Sequence, residues 1–163
     1  DFALELFAAL NAPDLTLTMA GRGWEPFEAA AQSAQAVLGA RFVRPGLLLP
    51  EKAAELESGA DILLSLGNAF DNQMPSKLFS YLGTGKPLLH LAVTDTDPTL
   101  PYLAKYPLAL VLHKKDGVTP EVVDTLRRWL TDVQGQCLPY AQVAALYPEF
   151  TPEVVAETFI GRV

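Results

Sequence analysis

The spacing of apolar residues predicts helices and strands that alternate along most of the chain. Apolar residues recur at helical spacing over 1–11, and an Ala-rich helix is expected from Pro26 to about Leu38. Further helices are predicted over 50–58, over 75–82 and after residues 119 and 151. Short strand-like runs cover 15–20, 40–43, 61–66, 87–93 and 108–112. This alternation with short connections predicts βαβ units and a parallel sheet.

Two of these strands indicate the fold class. The runs at 62–66 and 88–93 are apolar at nearly every position, as in strands that helices cover on both sides. We therefore expect an α/β protein with a Rossmann-like parallel sheet and helices on both faces. Residues 1–163 are expected to form a single domain in which 135–163 supply the C-terminal helices. Because a doubly wound domain begins with a strand and this chain begins in a helix, we expect a fragment of a longer protein.

Composition and charge narrow the classes of partner. Half of the 163 residues are hydrophobic, and no apolar run reaches the roughly 18 residues that indicate a membrane span. The formal net charge of −7 argues against nucleic acid as a partner, since nucleic-acid binding needs a basic face. Cys137 is the single cysteine and has no partner in the chain for a disulfide, so a reducing, cytoplasmic setting is expected.

Lys77 occupies an unusual place for a cation. Pro75 is predicted to open a helix that follows the strand ending at Leu66, so Lys77 would lie in its first turn. The helix dipole is positive there and disfavours a lysine by roughly 0.3–1 kcal/mol. A phosphate that accepts hydrogen bonds from Ser76 and the free amides would reverse the sign. The alternative is a surface lysine that simply extends into solvent.

Other motifs are weaker. The stretch Gly83-Thr84-Gly85-Lys86 lacks the spacing of a Walker A loop and lies at the wrong edge of the sheet, so a helix C-terminal glycine is expected. His90 falls inside a strand and is interpreted as a core histidine. No grouping of residues has metal-ligand spacing, and no Ser-His-Asp order with a nucleophile elbow is present.

Two short loops share the edge of the sheet at which ligands of α/β proteins bind. Gly21-Arg22-Gly23 follows one predicted strand, and Arg44-Pro45-Gly46 follows the next. Each motif is weak alone, but with the loop before Lys77 they form three candidate loops at one edge.

The middle of the chain resembles a known family. The stretch ADILLSLGNAFDNQMPSKLFSYLGTGKPLLHL (60–91) is similar to the C-terminal half-domain of GT-B glycosyltransferases, in particular family-4-like enzymes of bacterial surface-polysaccharide synthesis. Those proteins carry a strand, a loop ending in Asn-Gln-x-Pro-Ser-Lys, a helix and a Gly-Lys-Pro before the next strand. MAGRGW (19–24) and FVRPGLLLPEKAAELESGAD (42–61) resemble the family's glycine loop and its base-side loop with the following helix.

The resemblance implies a site for a nucleotide-sugar donor, which would be a substrate rather than a cofactor. Loops carrying Gly21, Gly23, Arg44 and Pro45 would face the nucleoside. The remaining residues that the resemblance places around the sugar and the diphosphate are Asn68, Asn72, Gln73, Met74, Pro75, Ser76, Lys77 and Ser80.

The chain departs from the family at the position of Ser80. Many relatives have two glutamates separated by seven residues, and the alignment of Pro-Ser-Lys-Leu-Phe puts Asn72 and Ser80 at those places. The family's diphosphate-binding Arg and Lys would precede Asp1.

The resemblance implies that this chain is the donor-binding domain of a glycosyltransferase. The domain would be inactive alone, and no catalytic residues are identified in this chain. Its acceptor domain would be the N-terminal part of the same protein and could associate peripherally with a membrane. The alternative is a non-catalytic GT-B-like module that binds a partner or serves as a scaffold.

Overall fold

Strands and helices alternate along the chain in the computed structural model, which describes residues 2–23, 25–70 and 72–160. The described helices are α1 (Phe2–Leu10), α2 (Glu25–Leu38), α3 (Pro50–Gly59), α4 (Lys77–Gly83), α5 (Leu100–Leu103), α6 (Pro120–Asp132), α7 (Tyr140–Leu146) and α8 (Pro152–Ile160). The described strands are β1 (Leu17–Ala20), β2 (Phe42–Gly46), β3 (Leu63–Leu66), β4 (Leu88–Ala92) and β5 (Ala109–His113). Parallel pairing of the strands confirms the predicted α/β class with its Rossmann-like alternation of strand and helix.

The first of two compact units comprises Asp1–Ala60 and Leu112–Asp132. Its strands β1 and β2 pair in parallel, with Leu17 opposite Phe42. Helix α1 contacts both α2 and α6. Six of the nine residues of α1 are buried, so this helix is a central part of the unit's core.

The second unit comprises Asp61–Val111 and Val133–Val163. Strand β4 pairs with β3 on one side and with β5 on the other. All five residues of β4 are buried, as the apolar run at 88–93 predicts for a strand covered on both faces. The register places Leu63 opposite Leu88 and Ser65 opposite His90.

The strands are distributed over two sheets, which the apolar pattern does not indicate. The described strands form two sheets, β1–β2 and β3–β4–β5, where the sequence analysis expected one. The pattern of apolar residues along a strand depends on which faces are covered, whereas the choice of neighbour depends on contacts distant in sequence.

Several element boundaries shift by a few residues. Strand β2 begins at Phe42 rather than at residue 40, because Gly39, with a φ of 57°, leads into a 3-10 turn over Gly39–Arg41. Helix α4 begins at Lys77 rather than at Pro75, whose carbonyl accepts a hydrogen bond from the Leu78 amide at 3.1 Å. Helix α5 lies in a segment where the sequence analysis predicted no element.

The two Thr-Pro-Glu helix starts differ in structure. The Thr119 hydroxyl accepts a hydrogen bond from the Val122 amide at 3.4 Å, as an N-cap does. The Thr151 hydroxyl instead donates to the carbonyl of Pro148 at 2.8 Å. The same tripeptide therefore caps α6 through its side chain, whereas before α8 it secures the preceding turn.

The described helices are short compared with a membrane-spanning helix. The longest described helix, α2, has 14 residues, whereas a spanning helix needs about 20. Within the parts of the chain that the structure describes, no helix combines the length and the apolar character needed to cross a bilayer.

Gly85 brings two distant parts of the second unit together. It follows α4 with a φ of 74°, which confirms the predicted helix C-terminal glycine, and its amide donates to the Leu82 carbonyl at 3.1 Å. Its carbonyl accepts a hydrogen bond from the Leu138 amide at 2.8 Å. A Cβ at residue 85 would lie 2.1 Å from the carbonyl oxygen of Leu138, so only glycine permits this approach.

Gly85→Ala is expected to destabilise the protein more than Gly135→Ala does. Both glycines belong to the second unit and have positive φ, at 74° and 70°, but a Cβ at Gly135 meets no atom within 4 Å. Gly135→Ala should cost about 1–2 kcal/mol from backbone strain alone. The clash with backbone should raise the cost of Gly85→Ala above that by about 1 kcal/mol or more. Urea unfolding of both variants measures the difference, and equal losses would contradict the close approach.

Candidate functional site

A pocket of about 450 Å³ lies where β3 ends and α4 begins. Its floor comes from the last residues of β3, and its walls come from the connecting loop and the first turn of α4. The residues that line it are Leu64, Ser65, Leu66, Asn68, Gln73, Met74, Pro75, Ser76, Lys77 and Tyr81. This is the carboxyl end of a parallel strand, the edge at which α/β proteins bind ligands.

Hydrogen bonds hold the described part of the loop after β3. The Gly67 amide donates to the Leu91 carbonyl of β4 at 2.9 Å, and the Asn68 side-chain amide donates to the Gln73 carbonyl at 3.1 Å. A Cβ at Gly67 would lie 2.4 Å from a carboxylate oxygen of Asp97. The start of the loop is therefore closely packed against β4 and the segment that follows it.

Lys77 is the charged side chain among the described residues that line the pocket. It is exposed, and its ammonium nitrogen lies 5.8 Å from the centre of the Tyr81 ring, within range of a cation–π contact. Ser76 precedes it in a helical conformation, and its hydroxyl makes no capping hydrogen bond. A lysine and an adjacent hydroxyl thus share one wall of the pocket in a protein whose net charge is −7.

Most of the residues predicted around the sugar and the diphosphate lie at this pocket. Those that line it are Asn68, Gln73, Met74, Pro75, Ser76 and Lys77. Asn72 is exposed and is not among the lining residues, and Asp71, between it and Asn68 in the same loop, lies outside the described residues. Ser80 is also absent from the lining, and its hydroxyl donates to the Lys77 carbonyl of its own helix at 2.8 Å.

The residues predicted to face a nucleoside belong to the first unit. The Gly21 amide donates to the Gly46 carbonyl at 2.8 Å, so the loop after β1 contacts the end of β2 there. A Cβ at Gly23 would collide with the Glu28 side chain. The prediction of a loop at Arg44-Pro45-Gly46 is wrong, because all three residues lie within β2 rather than after it.

Arg44 already has an acidic partner. Its guanidinium donates to the Glu28 carboxylate at 2.5 Å and lies 5.3 Å from the centre of the Phe27 ring. The two side chains of the ion pair are about one-third and two-fifths exposed, at 32% and 43%, so the pair contributes little to stability. An anionic ligand would have to compete with Glu28 for this guanidinium.

A buried polar network adjoins the pocket at Ser65. The Nδ1 atom of His90 lies 3.0 Å from the Ser65 hydroxyl, and its Nε2 atom lies 3.1 Å from the Asp97 carboxylate. The imidazole is fully buried and has partners, as expected for a core histidine. The sequence alone does not predict this grouping, because its members lie far apart along the chain and no nucleophile elbow marks them. The register of β3 with β4 is the signal that would have revealed it.

Asp97 is held as a carboxylate by its neighbours. Burial raises the pKa of Asp97, but the hydroxyl and amide of Thr99 and the adjacent His90 outweigh burial, so the pKa lies below its usual value of 3.8. The Thr99 hydroxyl donates to the carboxylate at 2.6 Å, and the Thr99 amide donates to the same oxygen at 2.9 Å.

Comparison with known proteins identifies no relative. No protein-family model, no curated protein and no solved structure matches this chain.

Across the described ranges, no group of three or more His, Cys, Asp or Glu side chains is arranged to hold a metal ion.

Thr99→Val is expected to destabilise the protein by about 1–3 kcal/mol at pH 7, because Asp97 loses a buried donor. A carboxylate with a lowered pKa stabilises the fold above its unfolded pKa, and this contribution disappears as the pH falls through the folded pKa. The loss should therefore shrink when urea unfolding is measured below the usual pKa of 3.8.

Thr96→Val is the matched control, because Thr96 is exposed and its hydroxyl donates to the Thr94 hydroxyl across a long contact of 3.5 Å. A loss for Thr99→Val that stays the same at acid pH would show that packing, and not the Asp97 carboxylate, accounts for it.

Proposed function

We propose that this chain is the donor-binding domain of a GT-B glycosyltransferase, which transfers a sugar from a nucleoside diphosphate to an acceptor. The observation that carries the proposal is the position of Lys77 and Ser76 in a pocket at the carboxyl end of β3. Together with the resemblance of residues 60–91 to that family, this geometry favours an anionic ligand over a neutral one.

The chemistry of the pocket suits a departing diphosphate. Transfer of the sugar leaves negative charge on the nucleoside diphosphate, and fixed donors stabilise that charge most when they are in place before the reaction. The ammonium group of Lys77 and the hydroxyl of Ser76 are such donors, and neither requires a metal ion.

Amide groups supply the other half of donor recognition. Asn68 and Gln73 line the pocket next to the cation, and side-chain amides both donate to and accept from sugar hydroxyls. Met74 and Pro75 give the same wall an apolar surface against which a sugar ring can pack. The acceptor, and any base that deprotonates it, would be supplied by an N-terminal domain of the same protein.

A non-catalytic module of the same fold is the second candidate, and the orientation of Ser80 favours it. The family's second glutamate would bind the ribose, but the Ser80 hydroxyl is bonded to the backbone of α4. Such a module would keep the pocket without the acidic clamp and would bind nucleotides weakly or not at all.

Lys77→Ala is expected to weaken the binding of UDP or GDP by about tenfold, because a diphosphate loses its charged partner in the pocket. Titration of the isotope-labelled chain with each nucleotide gives the affinity, and the amide shifts should cluster at 67–77. Lys105→Ala is the matched control, because Lys105 is an exposed lysine of the same unit and its loss changes the net charge equally.

Three results decide between the candidates. Shifts at 67–77 that Lys77→Ala suppresses and Lys105→Ala leaves unchanged support donor binding. Silence at millimolar nucleotide favours the non-catalytic module. Equal weakening by both lysine variants would show a general effect of charge and would contradict a specific role for Lys77.

A further inference from the structure

The network of Ser65, His90, Asp97 and Thr99 has no part in the proposed chemistry, yet it reaches the pocket through Ser65. Its members lie on β3, on β4 and in the segment after β4, all within the second unit. All four residues are buried, with relative exposures from 0 to 6%. Because buried polar groups need their hydrogen bonds, the position of each proton in the network can be assigned from its neighbours.

The assignment begins at Thr99. Its hydroxyl proton is donated to one carboxylate oxygen of Asp97, at 2.6 Å. Nε2 of His90 has two neighbours: the Thr99 hydroxyl oxygen at 3.2 Å and the other carboxylate oxygen of Asp97 at 3.1 Å. Both of these neighbours can only accept, since the hydroxyl proton is already used and Asp97 is a carboxylate. The proton must therefore reside on Nε2.

The other ring nitrogen then determines the state of Ser65. Full burial favours the neutral form of the imidazole over its charged form, and with the proton on Nε2 the Nδ1 atom of that neutral ring is an acceptor. Ser65 must donate its hydroxyl proton to Nδ1 across the 3.0 Å contact. The Ser65 oxygen is left with lone pairs only.

We propose that His90 is a positioning residue of the pocket, which makes the Ser65 oxygen an acceptor for a ligand hydroxyl. Asp97 and Thr99 hold the imidazole in the tautomer that takes the Ser65 proton. A ligand group that reaches Ser65 must then be a donor, such as a sugar or ribose hydroxyl, and a phosphate oxygen is excluded. This ligand class rests on the proposed function, whereas the tautomer does not.

The same network also fixes the end of β3. Asp97 lies against Gly67, where even a Cβ would come within 2.4 Å of its carboxylate, and Gly67 begins the loop that leads to the pocket residue Asn68. The network therefore joins two strands and the start of the loop that leads to the pocket. A change in the proton positions of the network should therefore shift the backbone amide signals of residues 65–68.

The tautomer is measured directly by nitrogen-15 NMR of the histidine rings in the ligand-free chain at neutral pH. We expect His90 to carry its proton on Nε2, with Nδ1 unprotonated, and His113 serves as the second histidine for comparison. A proton on Nδ1, in either the other tautomer or an imidazolium, overturns the proposal.

Asp97→Asn tests the positioning role. The amide oxygen of the new side chain would take the two bonds from Thr99, so its NH2 group would face Nε2 and drive the proton to Nδ1. Nδ1 would then donate to Ser65 and release the serine proton toward the pocket. Asp95→Asn is the matched control, because Asp95 is an exposed carboxylate of the same segment.

The expected result is an exchange of the two ring-nitrogen signals of His90, with shifted amides at 65–68, in Asp97→Asn but not in Asp95→Asn. With UDP-glucose as the probe, Asp97→Asn should weaken binding about threefold or more, because the Ser65 oxygen then accepts from Nδ1 and turns its own proton toward the ligand hydroxyl. An unchanged tautomer, or unchanged amides at 65–68, contradicts the positioning role.

The two proposals fail separately. If the wild-type chain binds no UDP-glucose, UDP or GDP, donor binding fails, and the tautomer and the amide shifts still decide the role of His90. If Asp97→Asn unfolds, the tautomer of the wild-type chain decides alone. If the nucleotides bind and His90 carries a proton on Nδ1, only the positioning role fails.

Discussion

The parallel pairing of β3 with β4 is the constraint on which the second unit depends. Leucine makes up three of the four residues of β3 and three of the five residues of β4, and their register sets four consecutive pairs from Leu63–Leu88 to Leu66–Leu91. A shift by one residue would turn every side chain to the other face of the sheet. The same register places Ser65 beside His90 and aligns the loop after β3 with the segment after β4. The pocket and the buried network beside it therefore follow from one pairing.

The position of Lys77 shows how local electrostatics and tertiary structure combine. A lysine in the first turn of a helix opposes the helix dipole, and the cost is small enough for other interactions to offset. The Tyr81 ring, one turn further along α4, lies within cation–π range of the ammonium group. The lysine thus has a favourable contact within its own helix and still lines the pocket.

How much of the fold the sequence predicts depends on how local the determining interactions are. Strands β3 and β4 follow from continuous apolar runs, and helix α3 follows from Pro50, so their predicted bounds lie within two residues of the observed ones. The start of β2 and the division into two sheets depend on a glycine conformation and on distant contacts, which no local pattern contains.

The candidate site divides in the same way. The order of strand and helix alone predicts that Ser76 and Lys77, at the start of the helix after β3, lie at the carboxyl edge of the sheet. It did not predict that Ser80 would bond to its own helix or that Arg44 would pair with Glu28, because side-chain partners depend on rotamers and tertiary neighbours. Ser65, His90 and Asp97 are separated by up to 32 positions in the sequence and meet only because β3 and β4 pair.

Neither compact unit is a continuous stretch of chain. The first needs residues 112–132 to join residues 1–60, and the second needs 133–163 to join 61–111. During synthesis on the ribosome, α1 therefore emerges with a largely apolar surface that α2 can cover in part soon afterwards, whereas its other partner, α6, is made much later. Until α6 is made, the part of α1 that contacts α6 in the folded unit stays exposed on the nascent chain, and such surfaces are the kind that chaperones bind. Cutting the gene at residue 60 or residue 111 would leave two incomplete cores rather than two smaller proteins.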